Sequence, residues 1–368
     1  MGARVPRNAL VTNESRSRRG LARRTRRRVV ALLGIVVAVA LLAWAVATLT
    51  SGSGPSSGTL GAGGGGGPPS RLTLFGISAD PAFAAVLGTG GGRPAAAVVV
   101  PSDTLTAMPV EGSGTVAEAM GISPERGRVA TANMLGAWVQ HYAVLDLKGL
   151  TTVVDRRGGL IVNLPPGVSL EGQVLGPGPT KLTGQQVVSY LNAAKGGERT
   201  LRWKEVLGPL LAGPLDLDEH QAQMDDARAV RSSLSQAAGA AVAEVPTVPS
   251  EGGLLQPDDP AIKKMLAQMF GYPDREPVEV IVLNGTPHNR AAELITGSLV
   301  PAGYRIAAYG DARGEHHKTT LIVTAVEATV PEANRILKVL KVGRVFLGGE
   351  GSGIADITVV VGKDYLRA

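Results

Sequence analysis

VEVIVLNGTPHNRAAELITGSLVPAG, residues 278–303, reads as one complete strand–turn–helix unit and sets the fold class. Val278–Asn284 is a short apolar strand. Asn284-Gly285 marks a turn. Thr286 suits an N-cap, with Pro287 at the first helical position. The helix is predicted to run to about Val300 and to stop at Pro301-Ala302-Gly303. Ala291, Leu294, Ile295, Ser298 and Leu299 line one face at helical spacing. Downstream the alternation continues: strands at 304–310 and 318–325, an amphipathic helix from Pro331 to Lys341 burying Ile336, Leu337 and Leu340, then strands at 344–348 and 356–364. Strands alternating with short helices imply a small two-layer α/β unit over residues 278–368.

Upstream, residues 246–277 carry prolines at 246, 249, 257, 260, 273 and 277 and read as a linker holding one short helix, residues 261–270. Residues 71–245 read as a mixed α/β domain. LTLFGI (72–77), FAAVLGT (83–89) and AAAVVV (95–100) are apolar strand runs. Residues 134–147 read as a helix end passing into a strand, and 158–165 as a further strand. Helices are expected over Thr183–Ala194, from Arg199 to about Ala212, and across the alanine-rich stretch 216–240.

Residues 29–49, VVALLGIVVAVALLAWAVATL, contain no charge. At about 1.5 Å per residue such a helix is roughly 31 Å long, matching a hydrocarbon core of about 30 Å. This predicts a single N-terminal transmembrane helix. A cleaved signal peptide is the competing reading, but its apolar core normally runs about 7–15 residues. Ten arginines and one acid lie in residues 1–28, the cytoplasmic tail, with SRSRRGLARRTRRR abutting the apolar run. Positive charge stays inside, so the bulk of the chain is expected outside a bacterial cell membrane. Residues 50–70 are a Gly/Ser/Pro linker, a flexible coil with an r.m.s. span of roughly 25 Å.

The net charge of +6 suggests nucleic acid only until it is divided. The tail holds +9, which leaves the remainder at −3, without a basic stripe for phosphates. The tail's charge is also suited to anionic lipid headgroups. The chain has no cysteine, which excludes disulfides and CxxC metal or redox sites. Gly63–Gly67 lack a following Lys-Ser/Thr, so they form no P-loop. His316-His317 lack metal-ligand spacing. Asp216-Leu217-Asp218-Glu219-His220 lacks the glycine and terminal glutamate of a calcium loop.

The C-terminal unit resembles the LytR C-terminal domain of actinobacterial cell-envelope proteins. The resemblance rests on V-x-V-x-V-L-N-G-T (278–286), A-A-x-L (291–294), A-G-Y-R (302–305), K-T-T (318–320) and A-D-I-T-V-V-V-G-K-D-Y (355–365). The middle domain resembles a LytR-CpsA-Psr domain. It does so through Tyr142-Ala143-Val144-Leu145-Asp146, Val154-Asp155-Arg156-Arg157-Gly158-Gly159, Val162-Asn163-Leu164-Pro165, and Leu182-Thr183-Gly184-Gln185-Gln186 to Tyr190-Leu191. That resemblance implies an extracytoplasmic phosphotransferase, usually magnesium-dependent, which moves glycopolymers from a polyprenyl-pyrophosphate carrier to peptidoglycan.

The positions that the family uses for chemistry are altered. Its I-P-R-D-T appears as Val100-Pro101-Ser102-Asp103-Thr104, with serine in place of a phosphate-binding arginine. Its Y-x-R-x-R appears as Tyr190-Leu191-Asn192-Ala193-Ala194, without either arginine. Its R-x-x-R survives as Arg199 and Arg202. Asp80 and Asp103 are the candidate metal ligands, and Arg199 and Arg202 the candidate phosphate ligands. Charge-assisted pairs contribute about 1.5–3 kcal/mol each, so three lost guanidiniums predict lost catalysis. The first expectation is a non-catalytic binding or scaffold relative with no cofactor. Its expected partners are the membrane, polyprenyl-phosphate lipid, wall glycan or other envelope proteins, and no nucleic acid. The alternatives are an active phosphotransferase using Mg2+, and a protein–protein adaptor without lipid or glycan contact.

Overall fold

The protein is described here from a computed structural model covering residues 69–367, apart from 79–81, 109–110, 214, 274–276, 289–290, 313–316, 349–354 and 356. The expected transmembrane helix, the tail and most of the glycine-rich linker lie outside the described residues. Among the described residues no helix is long and apolar enough to cross a membrane.

The chain opens with three antiparallel strands, β1 (Arg71–Ile77), β2 (Phe83–Thr89) and β3 (Ala96–Val100). A hairpin of β4 (Leu105–Met108) and β5 (Gly112–Thr115) leads into helices α1 (Val116–Ile122) and α2 (Pro124–Leu135). Then come β6 (His141–Leu145), α3 (Leu147–Arg156), β7 (Leu160–Leu164), β8 (Val168–Leu170), β9 (Gln173–Leu175) and β10 (Gly178–Leu182). Helices α4 (Gly184–Asn192) and α5 (Gly197–Leu211) follow, then β11 (Ala222–Met224), α6 (Ala227–Gln236) and β12 (Ala241–Glu244). The main sheet is ordered β11-β6-β1-β2-β3-β12.

The runs of apolar residues in β1, β2 and β3 follow from their place at the sheet centre. Both faces are covered, so both phases of each strand are apolar. Leu72, Leu74, Val86 and Val98 pack on the side of α1 and α2 with Met120 and Met134. Phe75, Ile77, Leu87 and Val99 pack on the other side with Leu150, Val187, Trp203, Leu210 and Leu234 of α3 to α6. The end of α2 was expected near residue 134; helix α1 and the start of α2 were not. Thr115 and Glu118 form a capping box that starts α1, and Ser123 caps α2 ahead of Pro124.

Residues 216–240 form one helix only from Ala227. Asp226 Oδ1 accepts from the amides of Arg228 and Ala229, both at 3.0 Å, and so fixes the helix start there. Asp225 instead accepts from the Tyr142 amide at 3.0 Å, and Ala222–Met224 add an edge strand beside β6. Short acidic side chains here serve as caps and turn anchors, which ends helical continuity.

Residues 246–277 are built into the fold. β13 (Thr247–Pro249) pairs with β14 (Leu255–Pro257), and α7 (Asp259–Met265) continues as a π-helical turn to Phe270. The prolines place turns, while Ile262, Met265, Leu266 and Phe270 enter the core. A β-carbon at Gly88 would lie 2.1 Å from the Phe270 ring, so only glycine admits that ring.

The C-terminal sheet holds β15 (Val278–Asn284), β16 (Tyr304–Asp311), β17 (Leu321–Thr324), β18 (Arg344–Leu347) and β19 (Ile357–Val361), ordered β16-β15-β19-β17-β18. Helices α8 (Ala291–Leu299) and α9 (Val330–Leu340) cover one face. Thr286 accepts from the His288 amide at 3.2 Å, closing a local turn ahead of the helix. The described residues belong to one compact unit, and Val280, Val282, Ile295 and Ile322 belong to the same apolar core as Leu72, Leu74 and Met134. Asn133 joins the two parts directly. Its Nδ2 donates to the Ile306 carbonyl at 2.9 Å, and its Oδ1 accepts from the Ile306 amide at 2.6 Å.

Candidate functional site

Helices α4 and α5 carry the two surviving arginines and their neighbours. Thr183 and Gln186 cap α4 reciprocally, which orients Tyr190 inward to full burial. Asp155 accepts from the Gly184 amide at 2.7 Å, and Arg157 donates to the carbonyls of Leu210 and Gly213 at 2.6 and 2.9 Å. Arg156 pairs with Asp218 at 3.1 Å. The Val154–Gly159 motif therefore fastens the start of α4 and the end of α5.

Arg199 and Arg202 share one helix but not one environment. Arg202 donates from Nη2 and Nε to the same Glu198 oxygen, at 2.6 and 3.1 Å, and from Nη1 to the Tyr190 carbonyl. Its guanidinium carbon lies 4.5 Å over the Tyr190 ring. The Tyr190 hydroxyl donates to Glu205. Burial, and then the Glu205 hydrogen bond, push the Tyr190 phenol well above the ordinary tyrosine range. Arg202, Glu198, Tyr190 and Glu205 thus form one internally satisfied cluster. Arg199 is half-buried, and its Nε has no hydrogen-bond partner among the described residues. Trp203, one turn on, stacks on Phe83 with centroids 3.9 Å apart, and its Nε1 is also unpartnered. Residues at i and i+4 face the same way, so two buried, unpartnered donors lie along one side of α5.

Asp103 sits in the turn after β3. The Leu255 amide donates to its carbonyl at 3.0 Å, and Ser102 donates to its carboxylate at 3.4 Å. The carbonyls of Ser102 and Thr104 accept from Ala117 and Val116 at the start of α1. This turn is therefore anchored to the α1 side of the sheet, whereas α5 lies on the opposite side. No ion pair joins Asp103 to Arg199 or Arg202 among the described residues. Asp80 lies outside them. Of the positions where arginines were expected, Ser102 and Ala194 are buried and Asn192 is exposed. Glu198 and Glu205 are engaged, and no group of three or more His, Asp or Glu among the described residues is placed to hold a metal.

Residues 116–213 match the LytR_cpsA_psr family, and residues 277–365 match the family described as LytR cell envelope-related transcriptional attenuator. The chain carries a LytR-CpsA-Psr domain and a LytR C-terminal domain. Enzymes of the LytR-CpsA-Psr family attach glycopolymers to peptidoglycan. The first match includes Arg199 and Arg202 and begins after Asp80 and Asp103. Similar solved structures include a transcriptional regulator from Enterococcus faecalis, at 18% identity over 56% of this chain and 90% of that one, with a TM-score of 0.47. They also include TagV of B. subtilis, at 13% identity over 56% and 98% with a TM-score of 0.46. A LytR-Csp2A-Psr enzyme from Actinomyces oris is 16% identical over 56% and 91%, with a TM-score of 0.45. No curated protein matches the chain.

Sequence reasoning placed Arg199 and Arg202 correctly on one helix. It missed the Tyr190 carbonyl and ring as partners of Arg202, and the stacked Trp203 beside Arg199. The i, i+4 pairing of Glu198 with Arg202 was readable from spacing; the reach of Tyr190 was not.

Proposed function

We propose that this chain is a membrane-anchored, extracytoplasmic cell-envelope protein that binds a phosphorylated lipid or its glycopolymer without transferring it. The observation that carries this reading is the closure of Arg202. For Arg202 to grip a pyrophosphate, its bonds to Glu198 and the Tyr190 carbonyl must break, at about 1.5–3 kcal/mol for each charge-assisted bond. Glu198 would then face the incoming phosphate as an uncompensated negative charge. The replacements at Ser102, Asn192 and Ala194 point the same way. The half-buried guanidinium of Arg199, whose Nε is unpartnered among the described residues, supports retained binding of an acceptor-rich group beside α5. Localisation rests on residues 1–49: the tail is read as cytoplasmic and the bulk as external.

The test uses the full chain in detergent with magnesium and a polyprenyl-pyrophosphate-linked glycan. No phosphate release is expected, while vesicles containing polyprenyl phosphate should retain the protein more strongly than vesicles without it. Turnover that Arg199→Ala abolishes would establish the phosphotransferase instead. Equal retention on both vesicle types, with no glycan binding, would leave the protein–protein adaptor.

A further inference from the structure

A cavity of about 720 Å³ lies at the end of the main sheet where the described residues begin. Its floor is the start of β1, the end of β2 and the start of β6. Arg71 pairs with Thr89, and Thr73 with His141, so these four residues share one face of the sheet. Its roof is α6, where Arg228, Ser232 and Gln236 recur at intervals of four and line the cavity beside Ser233. Thr73 Oγ1 donates to Ser233 Oγ at 3.0 Å, which fixes α6 over that face. Pro69, the first described residue, also lines the cavity.

The lining is an array of donors. Among the described residues neither Arg71 nor Arg228 forms an ion pair or a side-chain hydrogen bond. Ser232 Oγ accepts from Gln236 Nε2 at 3.0 Å and Ser233 Oγ accepts from Thr73, so both serine protons are left to donate. The acids at this end are engaged. Asp226 Oδ1 caps α6 through the Arg228 and Ala229 amides. Asp225 accepts from the Tyr142 amide and lies 3.4 Å from His141 Nδ1. A single exposed arginine is ordinarily a solvated charge. Two that share one cavity, of a size within the roughly 300–1,000 Å³ of ligand sites, form a site for an acceptor-rich anion. The guanidinium fork matches the paired oxygens of a phosphate.

Placement selects the anion. The apolar run read as a membrane anchor ends at Leu49, and the Gly/Ser/Pro stretch 50–68 joins it to Pro69 in the cavity wall. A tether of that length spans roughly 25 Å as a coil. It keeps the cavity beside the bilayer, where headgroup phosphodiesters are at high effective concentration. The exported part carries −3 overall, so an anionic bilayer repels it as a whole. The paired arginines supply the opposite sign at the end nearest the tether.

We propose that this cavity binds the phosphate of an anionic phospholipid headgroup and so docks the domain on the membrane that anchors it. Arg71 and Arg228 hold the phosphate oxygens from the floor and the roof. Ser232 and Ser233 donate to the phosphate or to the hydroxyls of the headgroup. The proposal rests on the reading of residues 29–49 as a membrane anchor. It is independent of whether the chain transfers glycopolymer, and its residues on α6 and β1 are separate from Arg199 and Arg202 on α5.

The chain contains no cysteine, so Ser235→Cys, at an exposed position of α6 outside the cavity lining, takes a single fluorophore. The full chain is reconstituted into vesicles of phosphatidylcholine alone, or of phosphatidylcholine with phosphatidylglycerol, each carrying a headgroup-linked quencher. Quenching is expected to rise when phosphatidylglycerol is present and to fall as salt screens the contact. Arg71→Gln with Arg228→Gln should abolish the rise with an unchanged melting temperature. Lys148→Gln with Lys181→Gln removes the same charge from exposed positions on α3 and β10 and should leave the rise in place. Equal quenching in both lipids, from a chain that stays in the membrane after an alkaline wash, would overturn the headgroup site. Equal loss in the two double variants would assign the attraction to overall charge and overturn it as well. A response to soluble poly(glycerol phosphate) on phosphatidylcholine vesicles, with none to phosphatidylglycerol, would give the cavity to a wall polymer and overturn the lipid. A chain released by the wash would overturn the anchor reading, and this docking with it.

Discussion

Replacing Asn133 with alanine should loosen the join between the two matched domains more than any surface change. Asn133 is 2% exposed, and its amide satisfies both backbone groups of Ile306 at the outer edge of β16. The pairing sits beside an irregularity: Ile306 pairs with Val280 and Ala308 with Ile281, so Ala307 is an extra residue in β16. Alanine at position 133 leaves the Ile306 amide and carbonyl buried without partners. Each unsatisfied buried group costs about 1–3 kcal/mol, or roughly 2–6 kcal/mol for the pair. Whole domains are stable by only about 5–15 kcal/mol, so this is a large fraction. At about 2–4 °C per kcal/mol for a unit of this size, melting should fall by roughly 5–20 °C. The Ile306 amide should also lose hydrogen-exchange protection ahead of the β1–β3 amides. Asn133→Asp keeps the acceptor but loses the donor, and should destabilise too. A melting temperature within a degree of wild type, with Ile306 still protected, would refute the reasoning and mean that apolar packing alone holds β16 in place.

Three further outcomes are expected. Arg202→Ala should lower stability by about 1–3 kcal/mol in urea titration, because it removes the bond to the Tyr190 carbonyl and the ring contact; the half-exposed Glu198 pair adds little. Gly88→Ala should destabilise by about 1–3 kcal/mol by crowding Phe270, and Phe270→Ala in the same chain should relieve part of that strain, giving a non-additive double-mutant cycle. Stability should also fall at alkaline pH. Burial, with the Glu205 bond second at Tyr190, raises the Tyr190 phenol above its ordinary 10.0, and burial raises that of Tyr309, which is bonded to Thr296 at 2.8 Å. A raised folded-state value stabilises fully below pH 10 and is lost as pH rises above it, so Tyr190→Phe with Tyr309→Phe should flatten the alkaline limb of a pH–stability profile.

Much of the fold was legible because its strands are local statements. Residues 72–77, 83–89 and 95–100 are apolar in both phases, as central strands must be, and they became β1, β2 and β3. The order of strands and helices in the C-terminal unit followed from period, turns and proline placement. Helix α1 and the start of α2 were missed although Thr115 and Glu118 carry a capping-box signature, because the segment from there to Gly136 is weakly amphipathic; only the helix end near residue 134 was legible. Residues 246–277 looked like a linker from their prolines, yet Ile262, Leu266 and Phe270 recur at helical spacing and are core.

The candidate site divides the same way. Arg199 and Arg202 on one helix follow from an interval of three residues, and the replacement of expected arginines by Ser102, Asn192 and Ala194 can be read directly. That Arg202 is held by the Tyr190 carbonyl depends on α4 folding back along α5. That the turn holding Asp103 is tied to the start of α1 depends on which face α1 occupies.

The sequence by itself determined the elements, the altered family positions and the charge that divides tail from bulk, because these rest on neighbours within a few residues. Only the tertiary structure decided which side chains satisfy one another. Asn133 and Ile306 are 173 positions apart, and no period or composition relates them. Their pairing exists because a shared apolar core brings the C-terminal end of α2 to the edge of β16, where two buried backbone groups must find partners or the fold loses stability.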